Sequence, residues 1–178
     1  SSGYEDDAEL GIIEVGADGS TSGTTAIPVE DLSAPPCPLW SPDGRWLAFG
    51  AGREQGVDRP LSDRSRSEVW LVDTVTEELR RLAGETVSDL EWLPGTDELA
   101  IADNGIHVYS VTTGEDRSLG IDGAAAISWS PDGTTVAFTR TSRVGSGEAE
   151  YDATSLWLAD ADGTNERQLN AAYGAVHG

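Results

Sequence analysis

The sequence predicts an all-β protein, a β-propeller built from four-stranded antiparallel blades. A Trp-centred segment followed by a tight-turn motif recurs along the 178 residues. The apolar runs are short, and turn residues separate them about every 8–12 residues. No segment keeps the 3.6-residue apolar period of an amphipathic helix. Short strands that repeat at roughly 40 residues are typical of a propeller rather than a single sandwich.

The two clearest copies of the repeat begin at Trp40 and Trp129, each followed by Ser-Pro-Asp-Gly. Pro presets φ for the second turn position, and Gly adopts positive φ without steric cost, so each copy predicts a hairpin between two strands. A degenerate copy of the repeat begins at Trp92. There Leu-Pro-Gly-Thr-Asp replaces Ser-Pro-Asp-Gly, which predicts a looser turn or a turn that is one residue longer. The turn residues of the clear copies are Trp40, Pro42, Asp43, Gly44, Trp129, Pro131, Asp132 and Gly133.

A second apolar motif follows each copy and predicts the third strand of a blade. It spans Glu68–Asp73, Gly105–Ser110 and Ser155–Asp160, and each copy leads through a turn into a short fourth strand that ends in Leu. Counting back from Trp40, residues 9–15 and 25–29 match a third and a fourth strand. The predicted organisation is therefore half a blade over 1–33, full blades over 34–83, 84–120 and 121–170, and a tail or next first strand over 171–178.

About three and a half blades are too few for a closed ring, because propellers usually have roughly four to eight. Open strand edges invite pairing with another chain. We therefore expect the chain to be part of a longer polypeptide, which the lack of Met also favours. The alternative is that copies of the chain complete a ring together.

The composition excludes several function classes. There are 32 acidic and 11 basic residues, all Arg, and the net charge is −21. The electrostatic field of this negative charge repels nucleic acid and anionic membrane surfaces. No apolar stretch of the sequence approaches the ~20 residues of a membrane span. The absence of Lys excludes a P-loop and a Schiff base. A GC-rich genome or adaptation to high salt would explain the acidity; in the second case the melting temperature should rise with KCl.

No catalytic or metal-binding motif is present in the sequence. Gly-x-Ser-x-Gly, Cys-x-x-Cys and His-Glu-x-x-His are all missing, so we expect no catalytic residue, metal or cofactor. Cys37 is expected to be an inert thiol, and His107 a strand residue whose side chain points away from its apolar neighbours. His177 lies in the tail. The segment 160–163 resembles the start of a calcium loop, but the later positions do not match, so a hairpin is expected there.

Two insertions interrupt the minimal repeat, at 51–67 and 141–154, and both are predicted as loops that join the second and third strands of a blade. Long loops on a rigid scaffold commonly carry recognition, and the alternative is a solvated loop paired with itself. We predict a polar protein-binding rim with arginine anchors. The candidate partner-binding residues are Arg53, Asp58, Arg59, Asp63, Arg64, Arg66, Arg143, Glu148 and Tyr151.

These repeats resemble the TolB-like propeller family, a WD-like group with a Trp-Ser-Pro-Asp-Gly turn. The resemblance covers residues 9–170, and Gly114 and Gly163 match the family's hairpin between third and fourth strands. It implies a non-catalytic scaffold for protein partners and a periplasmic, secreted or cell-surface location, with a cytoplasmic one left open. One alternative is a fragment of the gating propeller of a prolyl oligopeptidase-family serine peptidase. Another is an assembly subunit whose open blade edges pair between chains.

Overall fold

The structure, a computed structural model, describes residues 9–28, 38–51, 68–83, 87–146 and 150–169. Within these ranges every regular element is a strand and there is no helix. The strands form four antiparallel sheets, named here I to IV, in which strands adjacent in sequence are adjacent in space. Each sheet is therefore a simple meander, which is the form of a propeller blade.

The strand bounds follow the chain order. Sheet I contains β1 (Glu9–Val15) and β2 (Thr21–Pro28). Sheet II contains β3 (Leu39–Trp40), β4 (Trp46–Ala51), β5 (Glu68–Asp73) and β6 (Glu78–Ala83). Sheet III contains β7 (Asp89–Trp92), β8 (Glu98–Ala102), β9 (Gly105–Ser110) and β10 (Asp116–Asp122). Sheet IV contains β11 (Ala124–Trp129), β12 (Thr135–Val144), β13 (Tyr151–Asp160) and β14 (Arg167–Gln168).

The Ser-Pro-Asp-Gly turns form by local hydrogen bonding. The Ser41 hydroxyl donates to Asp43 at 2.5 Å, and the Gly44 N–H donates to the Ser41 carbonyl at 2.9 Å. Ser130 makes the same hydroxyl bond to Asp132 at 2.6 Å. The two turn glycines have φ of 73° and 69°, in the left-handed region that glycine adopts without a Cβ penalty.

The turn after Trp92 is not longer than the turns in the other copies, which corrects one of the two alternatives predicted from the sequence. The Leu93 N–H donates to the Glu98 carbonyl at 2.9 Å, across the same number of residues as the bond from Ser41 to Trp46. The difference lies in the position of the glycine. Gly95 directly follows Pro94 and has φ of 70°, which is the conformation that the third residue of a type II turn requires.

The blades stack face to face, and each junction has its own apolar core. Leu10 and Ile27 of sheet I pack on Phe49 of sheet II. The opposite face of sheet II packs on sheet III, and the largest core lies between sheets III and IV. The described strands form an arc of stacked blades, and the arc does not close into a ring. The predicted fold class, a partial and open propeller, is confirmed.

Candidate functional site

The strands β12 and β13 of sheet IV form a two-stranded ribbon that is longer than the matching strand pairs of the other blades. Each has ten residues, whereas the matching strands of sheets II and III have five or six. Their register continues without interruption to the pair Val144 and Tyr151. Most of the segment 141–154, predicted as a loop, is therefore strand. Thr141, Val144 and Thr154 favour this, because β-branched side chains pack well across a strand pair.

The base of this ribbon is fixed to the rest of the protein by Arg140. Its guanidinium lies 4.9 Å from the ring centre of Phe138 and 4.7 Å from that of Trp157. Its Nε donates to the Asp122 carbonyl at 2.7 Å, and Nη1 pairs with Glu166 at 2.7 Å. Because Asp122 ends β10, this contact connects the ribbon to the preceding blade. The base is thus held by two cation–π contacts, a hydrogen bond and an ion pair.

The outer end of the ribbon is exposed and mixes aromatic, aliphatic and charged side chains. Tyr151 is 43% exposed, and its cross-strand neighbour Val144 is 36% exposed. Arg143 donates from Nε to Glu150 at 3.0 Å, with 69% of the Arg143 side chain in solvent. An exposed ion pair of this kind contributes only about 0–1 kcal/mol. Arg143 can therefore exchange this partner for another at little cost.

The structure brings together two of the predicted partner-binding residues. Arg143 and Tyr151 lie at the end of the ribbon, and since side chains alternate along a strand they occupy opposite faces. The sequence analysis missed Val144 and Glu150, because the apolar alternation of β12 fades after Phe138 and nothing in 141–144 indicates that the strand continues. The other predicted residues lie outside the described part of the chain, namely Arg53, Asp58, Arg59, Asp63, Arg64, Arg66 and Glu148. Cys37 and His177 lie outside it too.

The rim that carries the ribbon also carries the connection between sheets III and IV. The Gly123 N–H, which follows β10, donates to the carbonyl of Asn104 at 2.6 Å. Asn104 lies in the short turn between the second and third strands of sheet III. The interblade connection and the turn therefore meet at one edge of sheet III.

Acidic side chains join the innermost strands of sheets III and IV. Asp89 accepts the Ile127 N–H at 2.9 Å, and Glu91 accepts the Trp129 N–H at 3.0 Å. Both carboxylates belong to β7 and both amides to β11, so sheet III caps the free edge of sheet IV. Burial raises the pKa of Glu91, and its hydrogen bonds oppose that shift. A cleft of about 470 Å³ lies beside these strands, lined by Leu39, Trp40, Pro42, Leu90, Glu91, Trp92, Ile127 and Ser128.

The three tryptophans of the repeat differ in their surroundings. Trp92 and Trp129 are 7% and 6% exposed, but Trp40 is 51% exposed. The indole N–H of Trp92 donates to the Leu39 carbonyl at 3.0 Å, on the innermost strand of the preceding blade. Sheet I, which precedes Trp40, has no innermost strand among the described residues.

The histidine and the aspartates that could have carried chemistry instead contact nearby residues of their own blades. His107 lies between the buried Ile106 and Val108, with Nδ1 3.4 Å from Asp116 and Nε2 3.8 Å from Asp103. Asp162 accepts from Thr164 in the hairpin after β13, at the position where the sequence resembled a calcium loop. Within the described ranges, no group of three His, Cys, Asp or Glu side chains is arranged to hold a metal ion. Those ranges contain no helix long and apolar enough to cross a membrane.

Comparison with solved structures identifies the fold. The chain resembles a TolB protein from Agrobacterium tumefaciens, with a TM-score of 0.55 and 15% identity over 90% of this chain. It also resembles the β-propeller domain of the Trilobed protease from Pyrococcus furiosus, described as having an open velcro topology, with a TM-score of 0.59 and 15% identity over 94% of this chain. A third neighbour is Kuenenia stuttgartiensis hydrazine synthase, with a TM-score of 0.55 and 22% identity over 90% of this chain.

The chain spans 60%, 51% and 43% of those three proteins, respectively. No protein-family model and no curated protein matches the sequence. At these identities the likeness concerns the fold alone, and the fold is that of a TolB-like β-propeller, as the repeat resemblance implied.

Proposed function

We propose that this chain, which has a TolB-like β-propeller fold, is a non-catalytic scaffold that binds a protein partner through the β12–β13 ribbon. The observation that carries the proposal is the contrast between the anchored base of the ribbon at Arg140 and its exposed end at Tyr151. A rigid element with an exposed aromatic residue loses little conformational entropy when it binds. Tyr and Arg, the residue types at this end, are enriched at the energetic centres of interfaces.

A non-catalytic role is supported by the way hydroxyl groups are used in the described blades. The Ser41 and Ser130 hydroxyls each donate to a turn carboxylate and accept a backbone N–H. A serine nucleophile instead needs a neighbouring general base that removes its proton. These serines stabilise turns, and the proposal assigns them no other role.

The proposal is tested by placing a photo-reactive p-benzoylphenylalanine at position 151 and irradiating the chain in extract of its source organism. We expect one discrete cross-linked protein, which is lost when Arg143→Ser is added. The control is Arg117→Ser, because Arg117 forms a similar exposed pair with Glu98 at 2.9 Å on sheet III. A cross-link that survives Arg143→Ser, or equal loss in both variants, contradicts a binding role for the ribbon.

A second candidate function is that of a gating propeller beside a peptidase domain, which is favoured by the likeness to the Trilobed protease propeller. The discriminating observation is the sequence that follows Gly178 in the natural polypeptide. A Gly-x-Ser-x-Gly motif followed by Asp and His would establish this alternative. The peptidase activity would then belong to the whole polypeptide.

The proposed location is periplasmic, secreted or at the cell surface, and it follows from the resemblance to TolB-like proteins. Fold likeness carries limited functional information, so the location needs its own test. Fractionation of the source cells should place the protein outside the cytoplasm. Recovery only with cytoplasmic markers contradicts an exported location, and the scaffold role would be unaffected. No nucleic acid is proposed as a partner, because a net charge of −21 repels phosphates.

A further inference from the structure

The turn between β8 and β9 contains an asparagine directly before a glycine, and the geometry of the turn favours both residues. Asn104 has φ of 73°, in the left-handed region that Asn and Asp adopt more readily than other non-glycine residues. A Cβ on Gly105 would lie 3.1 Å from the carbonyl oxygen of Ile121 in β10, so a larger residue would crowd the next strand. The pair Asn104–Gly105 is therefore a consequence of how this turn is built.

The side chain of Asn104 is not held in place. The residue is exposed, and its side-chain amide makes no hydrogen bond to the described part of the chain. Asn165 also has a left-handed φ, of 57°, but its amide donates to Asp160 at 2.7 Å and the next residue is Glu166. An amide that is free to rotate can approach the backbone nitrogen of the following residue, and a glycine leaves that nitrogen unshielded. Within the described residues, only Asn104 combines these features.

One peptide group connects this turn to the base of the β12–β13 ribbon. The N–H of Gly123 donates to the Asn104 carbonyl at 2.6 Å. The carbonyl of Asp122, which belongs to the same peptide group, accepts from Arg140 Nε at 2.7 Å. Because a peptide group is planar and rigid, the position of its carbonyl depends on the position of its N–H. The Asn104 carbonyl therefore helps to fix Arg140, which anchors the ribbon.

We propose that Asn104 is a site of spontaneous deamidation, and that the isoaspartate formed there weakens the attachment of the ribbon base. The backbone nitrogen of Gly105 attacks Cγ of Asn104, so that a new C–N bond forms and the C–N bond of the side-chain amide breaks. Ammonia leaves with the proton of the Gly105 N–H, and a succinimide ring remains. Water then opens the ring at either carbonyl, which gives aspartate or isoaspartate without oxidation or reduction.

Isoaspartate changes the contact with Gly123 through both geometry and charge. The main chain between Asp103 and Gly105 becomes longer by an atom, and the carbonyl that accepted the Gly123 N–H becomes a free carboxylate outside the main chain. This carboxylate adds a negative charge next to Asp103, and like charges at short distance repel each other. The peptide group before Gly123 then loses its fixed acceptor, and Arg140 loses part of its anchor. The inference does not depend on what the ribbon binds.

The first test follows the chemistry. The whole chain is aged in mildly alkaline buffer, digested and analysed by mass spectrometry. We expect the peptide with Asn104 to gain about 1 Da, the difference between an amide and a carboxyl group, about tenfold or more faster than the peptide with Asn165. Protein isoaspartate methyltransferase should label the aged peptide at position 104. The variant Asn104→Gly, which tolerates a left-handed φ and has no amide, should show neither change there.

The second test follows the structure. Amide hydrogen exchange is compared between fresh and aged chains. We expect the Gly123 N–H to exchange about tenfold faster once isoaspartate has formed, because exchange reports the loss of a hydrogen bond. The Leu93 N–H, which bonds to the Glu98 carbonyl in the turn after Trp92, is the internal control and should not change. Asn104→Asp, which adds the charge but keeps a main chain of normal length, should speed exchange at Gly123 less than isoaspartate does.

The proposal would be overturned at either step. Equal mass gain at Asn104 and Asn165, or no isoaspartate at position 104, contradicts the modification site. Unchanged exchange at Gly123 after isoaspartate has formed contradicts the link to the ribbon base. Faster exchange at Gly123 in aged Asn104→Gly would assign the change to isomerisation of Asp122 instead. Cross-linking at position 151 uses the fresh chain, so the failure of either proposal is distinct from the failure of the other.

Discussion

Trp40 and Trp129 occupy the same position in two copies of one motif, yet their surroundings differ. The turns that follow them share the Ser-to-Asp hydroxyl bond and a glycine with positive φ. The side chains, however, are 51% and 6% exposed. Trp129 packs against a preceding blade that has four strands, whereas the sheet before Trp40 has two strands among the described residues. The turn is therefore a local property of the motif, and burial of the tryptophan depends on the neighbouring blade.

The largest expected effect of this difference is on stability. Trp129→Ala should lower the free energy of unfolding by about 3–5 kcal/mol, because a large buried side chain leaves a cavity in the core between sheets III and IV. Trp40→Ala should cost roughly half as much or less, since half of the side chain is already in water. Urea unfolding of both variants measures the difference. Equal losses would mean that Trp40 is covered in solution.

Gly163 tests how closely sheets III and IV approach each other. It has φ of 83°, and a Cβ on it would overlap the carbonyl oxygen of Leu119 in β10, the outermost strand of sheet III. Gly163→Ala should therefore cost about 2–4 kcal/mol, from left-handed strain plus the clash. Gly114→Ala is the control, because Gly114 has φ of 76° in the hairpin of sheet III and no neighbour within 4 Å. It should cost about 1–2 kcal/mol from strain alone. Thermal or urea unfolding that fails to separate the two variants would rule out the close approach.

Substitution of Glu91 tests whether its carboxylate caps the backbone N–H groups at the inner edge of sheet IV. Glu91→Ala should lower the free energy of unfolding by about 1–3 kcal/mol, because it leaves the backbone N–H of the buried Trp129 without its acceptor. Glu91→Gln keeps an acceptor oxygen and should cost less than the Ala variant. Glu115→Ala, at an exposed position of the hairpin in sheet III, serves as the baseline. Faster amide exchange at Trp129 in Glu91→Ala alone would support the cap, and unchanged exchange would contradict it.

The smallest expected effect is the dependence of stability on pH, and it should have the same direction in both turns despite the different exposure of their tryptophans. Hydrogen bonds from the Ser130 hydroxyl and from Thr134 lower the pKa of Asp132 to about 2, from 3.8, and those from the Ser41 hydroxyl and the Arg45 N–H lower the pKa of Asp43. A carboxyl whose pKa is lower in the folded state contributes stability above its unfolded pKa. That contribution is lost as the pH falls from 3.8 towards about 2.

Urea unfolding between pH 5 and pH 2 measures this dependence. Replacement of either residue, as Asp132→Asn or Asp43→Asn, should make the fall in stability shallower across that window. Parallel pH profiles for the wild-type chain and both variants would show that the turn hydrogen bonds do not form in solution.

The sequence predicted the propeller and its turns because these depend on residues close together in the chain. Pro42 and Gly44 specify their turn through their own φ preferences, and the Ser41–Asp43 bond spans two residues. The sequence prediction failed where strand length was decided by pairing. Residues 141–144 have no strong apolar alternation, and they become strand because 151–154 lie opposite them. The turn after Trp92 was predicted to be looser or one residue longer because its residues differ from Ser-Pro-Asp-Gly, although a glycine one position earlier closes the same span.

The chain itself determined the repeat, the antiparallel meander of each blade and the acidic surface, because these follow from local backbone preference and composition. Only the tertiary structure decided which tryptophan is buried, how far the ribbon extends, and which backbone edges are capped. Those properties arise from contacts between residues that are distant in sequence, such as Trp92 with Leu39 and Glu91 with Trp129. A motif of five residues carries no information about the blade that packs against it, and the exposure of Trp40 follows from that neighbour.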